Sequence, residues 1–131
     1  MIQKLLVIDD QPGINAVVAR VATSLGLEAK AVQQPLQATE AFIDFLPDVV
    51  LLDMVMPEKD GVDLLDEMML TGVPAKFIIM SGYGDAYLRL AQGVAAFHGV
   101  EQPAVLRKPF RKEELAALLR SALAIDPASA A

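Results

Sequence analysis

The chain contains no cysteine, which excludes a disulfide framework, a thiolate nucleophile and a metal site built on sulfur. Its single histidine, His98, has no companion at ligand spacing, so it reads as a loop or surface residue rather than a metal ligand. Cations are the minority: 11 Lys and Arg face 17 Asp and Glu, for a net charge of −6. That balance disfavours nucleic acid as a partner. No apolar run approaches the length of a membrane span, and Asp, Lys and Gly interrupt the longest ones, so a membrane partner is not expected. An export signal is missing too, because the N-terminus enters a strand almost at once, and a cytoplasmic location is the expectation. We find no internal repeat and no low-complexity stretch.

What is present fits one domain. A chain of 131 residues can bury about two thirds of the surface its unfolded form exposes, and 54% apolar residues suit a sheet covered on both faces. The organising stretch is Val49-Val50-Leu51-Leu52-Asp53 followed by Met56-Pro57 and Asp60-Gly61. It reads as a buried strand that surfaces at one carboxylate and then turns. Taken alone, Asp53 and Asp60-Gly61 are as well explained by capping and turn chemistry.

Taken in order, Leu5-Leu6-Val7-Ile8 makes a first strand ending in Asp9-Asp10. Ile14, Val17, Val18, Val21 and Leu25 form one apolar stripe of a helix that Gly26 stops. Leu27 to Val32, with Glu28 and Lys30, has the mixed character of an edge strand. Pro35 opens a second helix to about Leu46. The third follows Gly61, with Leu65, Met68 and Met69 inward. Lys76 to Met80 is a fourth strand ending in Ser81-Gly82, and Asp85 to Phe97 a fourth helix whose apolar residues fit more than one face. Ala104 to Arg107 is a short fifth strand before Lys108-Pro109-Phe110, and Arg111 to Leu123 a closing helix with Leu115, Leu118, Leu119 and Ala122 on one side. Alternation of five strands and five helices predicts a doubly wound α/β domain with a parallel sheet.

Four of the five strand ends carry reactive groups: Asp9-Asp10, Asp53, Ser81 and Lys108. The second carries none. A strand order of 2-1-3-4-5 brings those four ends to one rim beside the crevice between strands one and three. With strands about 4.8 Å apart, Lys108 starts roughly 10 Å from Asp53, much of which its stem can cover. Crowded carboxylates repel by on the order of 4 kcal/mol at about 4 Å and an effective dielectric of ~20. A hard divalent cation relieves this, and oxygen donors completed by water and phosphate suit Mg²⁺. With Lys108 and Ser81 beside it, Asp53 then reads as the carboxylate nucleophile of a phosphoryl-transfer site.

Together, Asp9-Asp10, Asp53 with Met56-Pro57 and Asp60-Gly61, Ser81-Gly82 and Lys108-Pro109-Phe110 resemble the response-regulator receiver domain of two-component signalling, over Lys4 to about Leu123. The resemblance implies a flavodoxin-like fold in which Asp53 accepts a phosphoryl group from a histidine kinase, a histidine phosphotransfer protein or a small phosphodonor. It further implies that Asp10, Asp53 and the backbone carbonyl of Val55 bind Mg²⁺, with Asp9 acting mainly through bound water. Lys108 would pair with the phosphate and Ser81 would follow it as a switch, and the Lys108-Pro109 peptide would be cis. Such a domain catalyses only its own phosphorylation and dephosphorylation. It would signal to a downstream protein target through the fourth helix, fifth strand and fifth helix, the face through which a homodimer would also form.

Two departures stand out. The aromatic expected three residues before the lysine is Val105, leaving the switch to Tyr83 or to another rearrangement, and the stretch from Ser81 to Lys108 is several residues longer than is common in the family. Val55 and Tyr83, flanking the site, would also hinder water and prolong the acyl phosphate. The domain is expected to span residues 1–124 with a short tail at 125–131, which leaves no room for an effector. Val105 keeps open a receiver fold that docks partners without phosphorylation. An aspartate-nucleophile phosphatase of the haloacid-dehalogenase type would need a second Asp two residues after Asp53, where Val55 stands. A dinucleotide-binding domain lacks its glycine-rich loop, since Asp9-Asp10-Gln11-Pro12-Gly13 puts acids where pyrophosphate would lie. Arg107, Lys108, Arg111 and Lys112 form a basic cluster that is either a solvated face or a docking surface, and the methionines read as packing.

Overall fold

The computed structural model describes residues 2–82 and 85–124. Tyr83 and the 125–131 tail lie outside them. Five strands, β1 (Lys4–Ile8), β2 (Glu28–Val32), β3 (Val49–Asp53), β4 (Lys76–Ser81) and β5 (Ala104–Arg107), alternate with five α-helices. These are α1 (Pro12–Ser24), α2 (Ala38–Phe45), α3 (Gly61–Leu70), α4 (Ala86–His98) and α5 (Lys112–Leu123). Every strand pair is parallel and the sheet order is β2-β1-β3-β4-β5, as the sequence predicts. None of the described helices is long and apolar enough to cross a membrane.

The unbroken apolar strands are explained by two cores, one on each face of the sheet. Leu6, Ile8, Val50, Leu52 and Ile79 face Phe42, Leu64, Leu65, Met68, Ala91 and Ala95 of α2, α3 and α4. Their neighbours Leu5, Val7, Val49, Leu51, Ile78 and Met80 face Val18, Val21, Ala22, Leu115 and Leu119 of α1 and α5. Because side chains alternate along a strand, a strand covered on both sides must be apolar at every position. At the edge, β2 exposes Glu28, Lys30 and Ala31.

The expected boundaries shift by a residue or two. A 3₁₀ turn over Pro35–Gln37 precedes α2, a common tight start where the first amides lack intrahelical partners. Ser81 belongs to β4 itself, in register with Arg107. α4 buries Ala91 and Ala95, while Leu90 and Phe97 point to solvent, which is why its apolar residues fit no single face.

Candidate functional site

The parallel order delivers the polar strand ends to one rim. Asp9 directly follows β1, Asp53 closes β3, Ser81 closes β4 and Lys108 directly follows β5. One oxygen each of Asp9, Asp10 and Asp53 lies within 4.8 Å of the others. Asp9 is fully buried, Asp53 is 5% exposed, and Asp10 is half-buried. The Lys108 Nζ spans the distance foreseen from strand spacing, donating to Asp9 Oδ2 at 2.7 Å and standing 3.5 Å from Asp53 Oδ2. The three acids and Lys108 therefore meet, and the buried Ser81 adjoins them through its backbone, its carbonyl accepting the Lys108 N–H at 2.9 Å. The Lys108-Pro109 peptide is cis.

Local backbone holds the acids still. Asp9 Oδ1 accepts the Gln11 N–H at 2.9 Å, and Asp53 Oδ1 accepts the Val55 N–H at 3.3 Å. Val55 itself is exposed at the rim. Burial pushes the Asp53 carboxyl up to about 6, the nearby Asp9 charge adds to the rise, and Lys108 with the Val55 N–H opposes it. Proton uptake and cation binding are thus alternative ways to relieve the same crowding.

Two residues matter here in ways that sequence patterns did not bring out. Asn15, buried in α1, donates its Nδ2 to the Asp9 carbonyl at 2.9 Å and so anchors the acidic loop to the helix. Its Oδ1 is buried without a hydrogen-bond partner among the described residues. The signal was a polar residue placed between Ile14 and Val18 on the inward side of an apolar helix. Gly61, read as turn chemistry, answers to a tighter constraint: a Cβ there would lie 2.4 Å from the Asp53 carbonyl oxygen and 2.5 Å from the Met54 Cα. The Gly61 N–H also donates to the Met54 carbonyl at 3.1 Å, so α3 starts seated on the backbone that carries Asp53.

The remaining candidates sort by contact. Val105 is half-buried and packs on the core beneath α4, as does Tyr87 in the first turn of that helix. Tyr87 also lines an open recess with Leu36, Val55, Met56 and Asp63. The basic cluster divides: Lys108 turns into the site, Arg107 pairs with Asp85 at 2.6 Å, and Arg111 and Lys112 are exposed. The Arg107 guanidinium holds the Asp85 carboxyl below its usual range. His98 is no loop residue, since it ends α4 and bonds Asp66 of α3 at 2.6 Å.

Known proteins place this geometry. A family model described as the response regulator receiver domain matches residues 5–120. Sporulation initiation phosphotransferase F of Bacillus subtilis is 35% identical over 85 residues, covering 65% of this chain and 68% of the relative. Regulatory protein AtoC of Escherichia coli is 30% identical over 126 residues, which cover 95% of this chain and only 26% of that longer protein. Among solved structures, chemotaxis response regulator CheY4 of Vibrio cholerae superposes with a TM-score of 0.82 at 19% identity, covering 93% of this chain and 99% of that one. At that identity the likeness speaks for the fold alone. With the family model spanning both cores and the acidic rim, the chain belongs to the response regulator receiver domain family.

Proposed function

We propose that this chain is a phosphorylation-controlled signalling receiver in which Asp53 accepts a phosphoryl group from the phosphohistidine of a histidine kinase or histidine phosphotransfer protein, or from a small phosphodonor. The observation that carries the reading is the meeting of the Asp9 and Asp10 carboxylates and the Lys108 ammonium, from opposite ends of the chain, around the nearly buried Asp53. An Asp53 oxygen lone pair forms the new O–P bond. From phosphohistidine the donor's P–N bond breaks, and its nitrogen keeps the electron pair and takes up a proton; from acetyl phosphate the P–O bond breaks and acetate leaves with the pair. Water attacking phosphorus later returns the carboxylate and inorganic phosphate. Catalysis is thus confined to the domain's own modification and its reversal.

An all-oxygen donor set with its oxygens within 4.8 Å of one another fits Mg²⁺ in charge and hardness. Asp10, Asp53 and the Val55 carbonyl would hold the ion, with Asp9 acting through water. When bound, Mg²⁺ supplies charge neutralisation for the acids and the phosphoryl oxygens. Lys108 leaves Asp9 for the phosphoryl group, and Ser81, at the end of the neighbouring strand, follows the same group and transmits the change toward α4. Residues 1–124 form the responding unit with 125–131 as a tail, and a cytoplasmic setting suits a domain that signals through protein contacts to a downstream target. A constitutive docking role has no observation in its favour to match this assembled rim.

The test is incubation with acetyl phosphate and Mg²⁺ followed by intact-mass measurement. Wild type should gain one phosphoryl group and Asp53→Asn none, and EDTA should abolish the gain. Equal labelling of both proteins would overturn the reading.

A further inference from the structure

We propose that the cleft between α1 and α5 binds a small organic anion, an oxyanion head on an apolar body. The cleft holds about 670 Å³, within the roughly 300–1,000 Å³ of small-molecule sites. Val17, Arg20, Val21 and Ser24 line it from α1, at the i, i+3, i+4 and i+7 spacing of one helix face. Lys112, Ala116 and Arg120 line it from α5, again on one face because each is one turn on from the last. The floor is apolar: Val21 is buried, and the half-buried Phe110 and Ala116 pack on the core that α1 and α5 share. Both helices follow strands of one parallel sheet and cover the same face of it, so they run side by side in the same direction. Arg20 and Arg120, at matching positions in the two helices, therefore stand toward one end of the cleft, and Phe110 with Lys112 toward the other.

Charge and desolvation select the head. The lining carries three cations against one acid, Glu113, in a chain whose net charge is −6. α1 contains no acidic residue, and Glu114, the other acid of α5, is engaged at the helix start, where it accepts the Arg111 N–H. None of Arg20, Lys112 and Arg120 is in an ion pair among the described residues. The Arg120 Nε is buried with no hydrogen-bond partner among those residues, although the residue as a whole is half-buried and lines the cleft. A guanidinium already stripped of part of its water and left short of an acceptor suits a carboxylate or phosphate, whose oxygens its planar fork matches. Arg20, exposed on the facing helix, supplies a second fork, and Phe110 a ring for the apolar body. A second copy seated here across a two-fold axis would set cations against cations, and three cations in so acidic a chain do not suit nucleic acid. The proposal stands independently of phosphoryl transfer at Asp53.

The test is titration of the ¹⁵N-labelled full chain, in EDTA, with 2-naphthoate and 1-naphthyl phosphate, beside neutral 2-naphthylmethanol and cationic 2-naphthylmethylammonium. Both anions should shift amides in the second half of α1 and from Phe110 to Arg120, and the tighter of the two identifies the head the site prefers. The neutral and cationic probes should bind at least tenfold more weakly. Arg20→Ala and Arg120→Gln should each weaken the anions by about tenfold or more. Arg120→Lys, which keeps the charge and loses the fork, should weaken them less than Arg120→Gln. Should Arg120→Gln fail to fold, the exposed Arg20→Ala decides alone. Equal affinity for anionic, neutral and cationic probes, shifts centred on the acidic rim, unchanged affinity in Arg20→Ala, no binding at millimolar anion, or tighter seating of an acidic Leu/Glu helical peptide on the same residues would each overturn it.

Discussion

Lys108 stands 2.7 Å from Asp9 and 3.5 Å from Asp53, so its ammonium serves the more deeply buried carboxylate first. Removing one partner of a buried pair leaves the other uncompensated, at a cost on the order of 3 kcal/mol. Lys108→Met should therefore destabilise the metal-free protein by about that much in urea unfolding. Adding Asp9→Asn should recover most of the loss, and additive effects of the two changes would show that the pair is not coupled.

The Asp53 carboxyl is raised from 3.8 to about 6, so the folded state holds a proton there that the unfolded state has released. Between those values stability falls as pH rises, and it is level above them. In EDTA at pH 7, Asp53→Asn should stabilise the fold by about 2–3 kcal/mol, at roughly 1.4 kcal/mol per pKa unit. At pH 3.5 the gain should vanish. Urea unfolding across that range reads both, and an Asn variant no more stable at pH 7 than at pH 3.5 would count against the burial of an unrelieved charge.

Gly61→Ala forces a methyl group to within 2.4 Å of the Asp53 carbonyl oxygen. Either α3 or the end of β3 must move, and overpacking of this kind costs about 1–3 kcal/mol or more. The variant should lose that stability and bind beryllofluoride less tightly. Gly13→Ala is the control, because nothing lies within 4 Å of its Cβ position, and it should be neutral or slightly stabilising. Similar losses for the two variants would refute the steric account.

Asn15→Leu keeps the volume buried but removes the donor to the Asp9 carbonyl. Loss of one buried hydrogen bond should cost about 1–2 kcal/mol, and the freed acidic loop should hold Mg²⁺ several-fold more weakly in calorimetric titration. Unchanged metal affinity would confine Asn15 to packing.

The fold was legible because doubly wound domains write themselves in alternation: continuous apolar strands, striped helices, and Gly or Pro between them. The rim was legible for a related reason, since reactive groups in this topology stand where strands end, and Asp9, Asp53, Ser81 and Lys108 all do. What escaped depended on contacts across the chain. Gly61 has the same local signature whether it merely turns the chain or must admit another backbone. Asn15 shows its role only once the carbonyl it binds is placed beside it. His98 has no companion in its own stretch of sequence because Asp66 lies on a different helix, 32 residues away. The exposed side of α4 could not be chosen from its apolar residues, because small alanines do the packing and large side chains face water.

The bond between Asp9 and Lys108 closes a loop of 99 residues, almost the whole domain. A nascent chain that has emerged only through β4 already owns its three acids but none of the ammonium that reconciles them. The last strand to leave the ribosome thus brings the cation of the rim as well as the edge of the sheet, and the acids stay unreconciled until the architecture is finished.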